Sequence, residues 1–71
     1  MEPEIVGKRI MKLMEKNKIE RKELADKMQL TIAELEDKLE GEEEFYLDEM
    51  MKIKDIFQLD GKECDELFFQ D

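Results

Sequence analysis

The side chains in this sequence that could do chemistry are nearly all carboxylates. Aspartate and glutamate number 21 among 71 residues, histidine is absent, and Cys64 is the single cysteine. Without an imidazole there is no Ser/His/Asp or Cys/His relay and no His-based zinc site, so those chemistries fall away by inventory. Cys64 lies between two acids, Glu63 and Asp65, without the electropositive setting of a reactive thiol. It reads as a small half-buried residue, and one cysteine makes no intrachain disulfide. The densest acidic run, Glu40-Gly41-Glu42-Glu43-Glu44, would attract divalent cations by charge. It lacks the alternating oxygen ligands and terminal bidentate glutamate of a calcium loop, and reads as solvated charge. The expectation is no catalytic residue, no cofactor and no metal, in a protein that is not an enzyme.

Recognition by charge is what remains. The formal net charge is −9, and it is unevenly placed. Residues 1–30 hold eight basic and six acidic side chains, whereas residues 31–71 hold four basic and fifteen acidic. Lys8, Arg9, Lys12, Lys16, Lys18, Arg21 and Lys22 fall in the first third, where they form either a phosphate-contacting strip or a solvated face balanced by nearby acids. Glu34, Asp37, Glu40, Glu42, Glu43 and Glu44 form a candidate acidic interaction face.

The elements that must position these groups are helices. Ile5, Val6, Ile10, Leu13 and Met14 recur at helical spacing opposite Lys8, Arg9, Lys12 and Glu15, predicting an amphipathic helix from about Glu4 to Lys16. Asn17-Lys18-Ile19 breaks the period. A second helix is expected at Arg21–Met28, with Leu24, Ala25 and Met28 as its apolar stripe and Glu20 as an imperfect cap. Thr31 with Glu34 makes a capping box for a third helix that carries Leu35 and Leu39 to about Glu40, where Gly41 stops it. Residues 42–46 read as a loop. Asp48 is expected to cap a fourth helix, behind a hydrophobic staple at Leu47, with Met50, Ile53, Ile56 and Phe57 facing the core. Asp60-Gly61 reads as a turn before a short last helix carrying Cys64, Leu67 and Phe68. The six methionines are expected mainly as core filler. A domain this small cannot easily bury Phe45, Tyr46, Phe68 and Phe69 together, so an exposed aromatic patch, serving a protein interface or a homodimer, is expected.

The reading is one compact all-α domain over residues 1–71, with five short helices and no internal repeat. No apolar run exceeds three residues, far below the roughly 20 of a membrane helix, and Met1-Glu2-Pro3-Glu4 lacks the layout of a signal peptide. A cytoplasmic setting without membrane contact is therefore expected.

Three groups of residues resemble the lambda repressor and Cro family of helix-turn-helix domains. They are Ile5-Val6-Gly7-Lys8-Arg9-Ile10 with Leu13, Arg21 to Met28, and Leu30-Thr31 leading to Leu35 and Gly41. Within that family, Lys38-Leu39-Glu40-Gly41, Phe45, Glu49, Lys52-Ile53 and Leu67-Phe68-Phe69 are most similar to small repressor-like proteins of phages and prophages in Gram-positive bacteria. The resemblance implies a lambda-repressor-like five-helix fold, with a helix-turn-helix at 21–40 and Ala25 where its two helices cross. It also implies a transcriptional regulator that binds double-stranded operator DNA through the second motif helix. By resemblance the DNA-contacting positions are Arg21, Lys22, Thr31, Ile32, Ala33, Glu34, Asp37 and Lys38, with the following loop at Glu42, Glu43 and Glu44. Lys8, Arg9, Lys12 and Lys18 of the basic strip are the candidates for further phosphate contacts.

Two departures stand out. Gln29 occupies the turn position that glycine usually holds, where a left-handed backbone costs a non-glycine residue roughly 1–2 kcal/mol. Glu42, Glu43 and Glu44 replace basic or neutral polar residues, and a carboxylate within about 4 Å of a phosphate is repelled by roughly 1 kcal/mol even in bulk water. A glutamate can accept from cytosine N4, but so many acids on and after one helix suit an alternative. In it the scaffold has weakened or lost DNA binding and meets a protein through its acidic face, with mimicry of DNA as one version.

Overall fold

The structure, a computed structural model, describes residues 3–70. Five α-helices follow one another: α1 Pro3–Asn17, α2 Arg21–Met28, α3 Ile32–Leu39, α4 Leu47–Ile56 and α5 Gly61–Phe68. No strand occurs among the described residues. The radius of gyration is 10.9 Å, close to the roughly 11 Å expected of a folded chain of this length.

The apolar stripe of each helix meets in one core. Val6, Ile10 and Met14 of α1, Leu24, Ala25 and Met28 of α2, Leu35 and Leu39 of α3, Ile53 of α4, and Leu67 and Phe68 of α5 are buried there, joined by Phe45 and Phe57 from the connections. Helix α1 crosses α3 so closely that a Cβ on Gly7 would overlap the Leu39 carbonyl oxygen. Glycine at that position is thus a packing requirement.

The first four helices end alike. Lys18, Gln29 and Gln58 adopt positive φ, as does Gly41. After each, the next amide reaches back to the last helical turn: Ile19 to Met14, Leu30 to Ala25, Glu42 to Asp37 and Leu59 to Lys54. This closing motif satisfies carbonyls that would otherwise lack partners. At three of the four ends the following residue is apolar and packs against the core, as Ile19, Leu30 and Leu59 do. That packing holds the left-handed residue in place without a glycine.

The helix starts differ from expectation at two points. Helix α4 begins at Leu47, one residue before the predicted cap Asp48, and Tyr46 occupies the N-cap position. The Tyr46 amide donates to Glu49 Oε1 at 2.8 Å, so Glu49 closes the helix start from within. Leu47, expected to staple the entry, is instead 70% exposed, because it lies one turn position too late to reach back. Asp60 is a true N-cap, accepting from the Glu63 amide at 2.8 Å, and Gly61 opens α5 instead of forming a free turn. The capping box of α3 is present as expected: Thr31 Oγ1 accepts from the Glu34 amide and Glu34 Oε1 accepts from the Thr31 amide.

Candidate functional site

Helices α2 and α3 are joined by a short turn over 29–31, in which Gln29 has φ 60° and ψ 38° and Leu30 packs against the core. The turn projects the start and outer flank of α3 into solvent. Thr31, Ile32, Ala33, Glu34, Asp37 and Glu40 are all exposed, and so are Glu42, Glu43 and Glu44 beyond the Gly41 turn. Gly41 itself lies against the start of α1, where a Cβ would come within 2.8 Å of the Glu4 nitrogen. The acidic loop is therefore bound to the body of the domain at its first residue.

Carboxylates dominate that surface. Glu34 titrates below the usual glutamate range, first because the Thr31 backbone amide donates to it and then because of the Thr31 hydroxyl. It stays ionised wherever ordinary glutamates do. Arg21 reaches this flank from α2 and is engaged: Nη1 contacts Glu36 Oε2 at 3.0 Å and Nη2 lies 3.5 Å from the Met11 sulfur.

Lys38, expected among the DNA-contacting residues, points inward. Its side chain is 4% exposed and pairs with Glu49 Oε1 at 2.9 Å. Nζ also donates to the Glu44 carbonyl at 3.1 Å and lies 4.3 Å from the centre of the Tyr46 ring. The ammonium thus joins α3, the acidic loop and the start of α4, and burial keeps it off the surface.

The other basic residues expected to contact phosphates lie on α1, on α2 and in the connection between them. Lys8, Lys12, Lys18 and Lys22 are exposed. Arg9 donates to the carbonyl oxygens of Glu66, Leu67 and Gln70, covering the last turn of α5, a favourable place for a cation at a helix C-terminus. Arg9 and Lys12 border a shallow groove between α1 and α5, floored by Leu13, Leu59 and Leu67 and edged by Glu63 and Glu66. The basic residues read from the sequence as either a phosphate-contacting strip or a solvated face are therefore divided, with Arg9, Lys12 and Lys16 lining the groove beside α5.

The aromatic residues divide as well. Phe45 and Phe68 are buried, with ring centroids 6.2 Å apart in edge-on contact, while Tyr46 and Phe69 are exposed. Met14 and Met28 are in the core and Met11 and Met50 pack at its margin, but Met51 is 47% exposed. Cys64 is half-buried.

Glu49 and Glu36 were not distinguishable in the sequence as partners of Lys38 and Arg21, since both pairings cross between helices. A usable signal did exist for Leu47 and Met51. Residues 47, 50, 51, 53 and 56 of the fourth helix, and Phe57 just after it, are all apolar, more than one stripe of a ten-residue helix can turn inward.

Among the described residues no group of three or more Cys, Asp or Glu side chains is arranged to hold a metal ion, and no helix is long and apolar enough to cross a membrane. Comparison with protein-family models, curated proteins and solved structures returns no match to this chain.

Proposed function

We propose that this chain is a lambda-repressor-like helix-turn-helix regulator in which the second motif helix, α3, presents an acidic surface to a basic protein partner. The observation that carries the proposal is the burial of Lys38. With that ammonium paired to Glu49, the exposed ionisable groups of α3 and the following loop are Glu34, Asp37, Glu40, Glu42, Glu43 and Glu44. DNA association begins with attraction between basic groups and phosphates, and this surface supplies the opposite sign. Charge of one sign on an interface steers and selects a partner of the other.

The test uses a helical peptide of lysine and alanine as a basic probe. The full chain is expected to bind it in a salt-dependent manner, and a variant carrying Glu42→Lys, Glu43→Lys and Glu44→Lys is expected to weaken binding at least about tenfold. A control with Glu15→Lys, Glu20→Lys and Glu23→Lys has the same net charge and should bind far better than the loop variant. Equal losses in the two variants would mean that bulk charge, and not this face, attracts the probe, and the proposal would fail.

A second reading keeps operator DNA as the ligand, with the chain as a phage-type transcriptional regulator. It is favoured by Thr31, Ile32 and Ala33, which stand exposed at the α3 N-terminus, where this kind of domain meets base edges. Fluorescence anisotropy with operator-like and random duplexes at low salt separates the two. Micromolar or tighter duplex binding would establish the DNA reading at the expense of the first.

A further inference from the structure

We infer that Tyr46, Leu47 and Met51 form the apolar anchor of a docking site for a basic amphipathic helix of a partner protein. The inference takes the sign of the partner's charge from the acidic-surface reading above and adds where and how the partner is held.

The three side chains are 63%, 70% and 47% exposed. Single apolar residues on a surface are ordinary, but Leu47 and Met51 lie one turn apart on the same face of α4, and Tyr46 stands exposed at the N-cap of that helix. The core takes Ile53 and Phe57 from this part of the chain, so burial of the core leaves this face unused. Apolar side chains held in water without a packing partner are a cost to the isolated domain and a gain on association.

The anchor is already ordered. The Tyr46 amide is held by Glu49 at 2.8 Å, and one side of its ring rests on the buried Lys38 ammonium at 4.3 Å. A tyrosine fixed in this way gives contact area at little further entropic cost. Leu47 and Met51 supply flexible aliphatic and thioether surface that adapts to a helix ridge.

The rim decides what the occupant can be. Glu42, Glu43 and Glu44 lead into the anchor and Asp48 and Asp55 flank it along α4, all exposed; Lys54, half-buried, lies at its far end. A second copy docking the same patch about a two-fold axis would set these carboxylates against their own counterparts. Nucleic acid and anionic lipid would meet the same repulsion. A helix with leucine-like residues on one stripe and lysine or arginine beside it matches both the anchor and the rim.

The experiment adds a second probe to the lysine–alanine peptide: a leucine–lysine amphipathic peptide of equal charge, about 18 residues or five turns long. Anisotropy titrations of the full chain should give binding about tenfold or more tighter for the leucine–lysine peptide. The double variant Leu47→Ser, Met51→Ser should abolish that gap while leaving lysine–alanine binding within about twofold and the helical circular dichroism unchanged. A gap that survives the double variant, or no gap at all, would overturn the inference and leave the acidic-surface reading standing. Loss of lysine–alanine binding alone, with a leucine–lysine interaction still sensitive to the double variant, would overturn the acidic-surface reading and uphold the anchor. Sedimentation supplies a further check. A chain that doubles its mass on its own and returns to monomer in the double variant would make a second copy the occupant, and the inference wrong.

Discussion

Lys38 is a basic residue that the resemblance would place against DNA, yet it serves the interior. Removing two charges from water is expensive, and the pair with Glu49 offsets that cost only through close geometry and additional hydrogen bonds. Here Lys38 donates to the Glu44 carbonyl and Glu49 accepts from the Tyr46 amide. Removing one partner leaves the other buried and uncompensated. Lys38→Ala is expected to lower stability by about 3–5 kcal/mol in urea unfolding, whereas Lys38→Met combined with Glu49→Leu should return most of it. If the double variant is no more stable than the single one, the ion pair is not what Lys38 contributes.

At the scale of the element, the helix ends do much of the organising. Gln29 holds the left-handed position of the α2–α3 turn, so Gln29→Gly is expected to relieve about 1 kcal/mol of backbone strain, seen as a higher urea midpoint. Gly41 stands in the same conformation against Glu4. Gly41→Ala should move the midpoint down by more than Gln29→Gly moves it up, since strain and steric overlap then add.

The capping box of α3 carries a pH signature. The native Glu34 carboxyl is held below its ordinary range by the Thr31 amide and hydroxyl. Its contribution is therefore complete above the ordinary glutamate pKa of about 4.3 and is lost as pH falls through the lower native value. The stability difference between the wild type and Glu34→Gln should be greatest near neutrality and shrink below pH ~4. A difference that stays constant down to pH ~3 would refute this account of the cap.

The whole molecule is governed by its charge. A net charge of −9 on 71 residues repels itself more strongly in the compact state than in the unfolded chain. Screening reduces that repulsion, with a Debye length falling from about 30 Å at 0.01 M salt to about 3 Å at 1 M. Thermal unfolding should therefore shift upward with added sodium chloride, by several degrees between those limits. A melting temperature that falls with salt would show that specific surface ion pairs, such as Arg21 with Glu36, outweigh the general repulsion.

Periodicity and capping chemistry make the helices legible in the sequence. The second helix was expected at Arg21–Met28 and lies there, and the Thr31–Glu34 box marks the start of α3, because both signals are local and act within a turn or two of chain. The acidity of residues 34–44 was equally plain, since charge belongs to the residue type. What tertiary structure alone decided was direction. Lys38 turns inward because Glu49, eleven positions away, waits across the loop; Arg9 is drawn to the end of α5 by carbonyls near the opposite end of the chain. Leu47 and Met51 are left outside because the core fills first with Ile53 and Phe57. Local interactions set where a helix begins and ends, but which of its side chains meet water depends on neighbours that only the folded chain brings close.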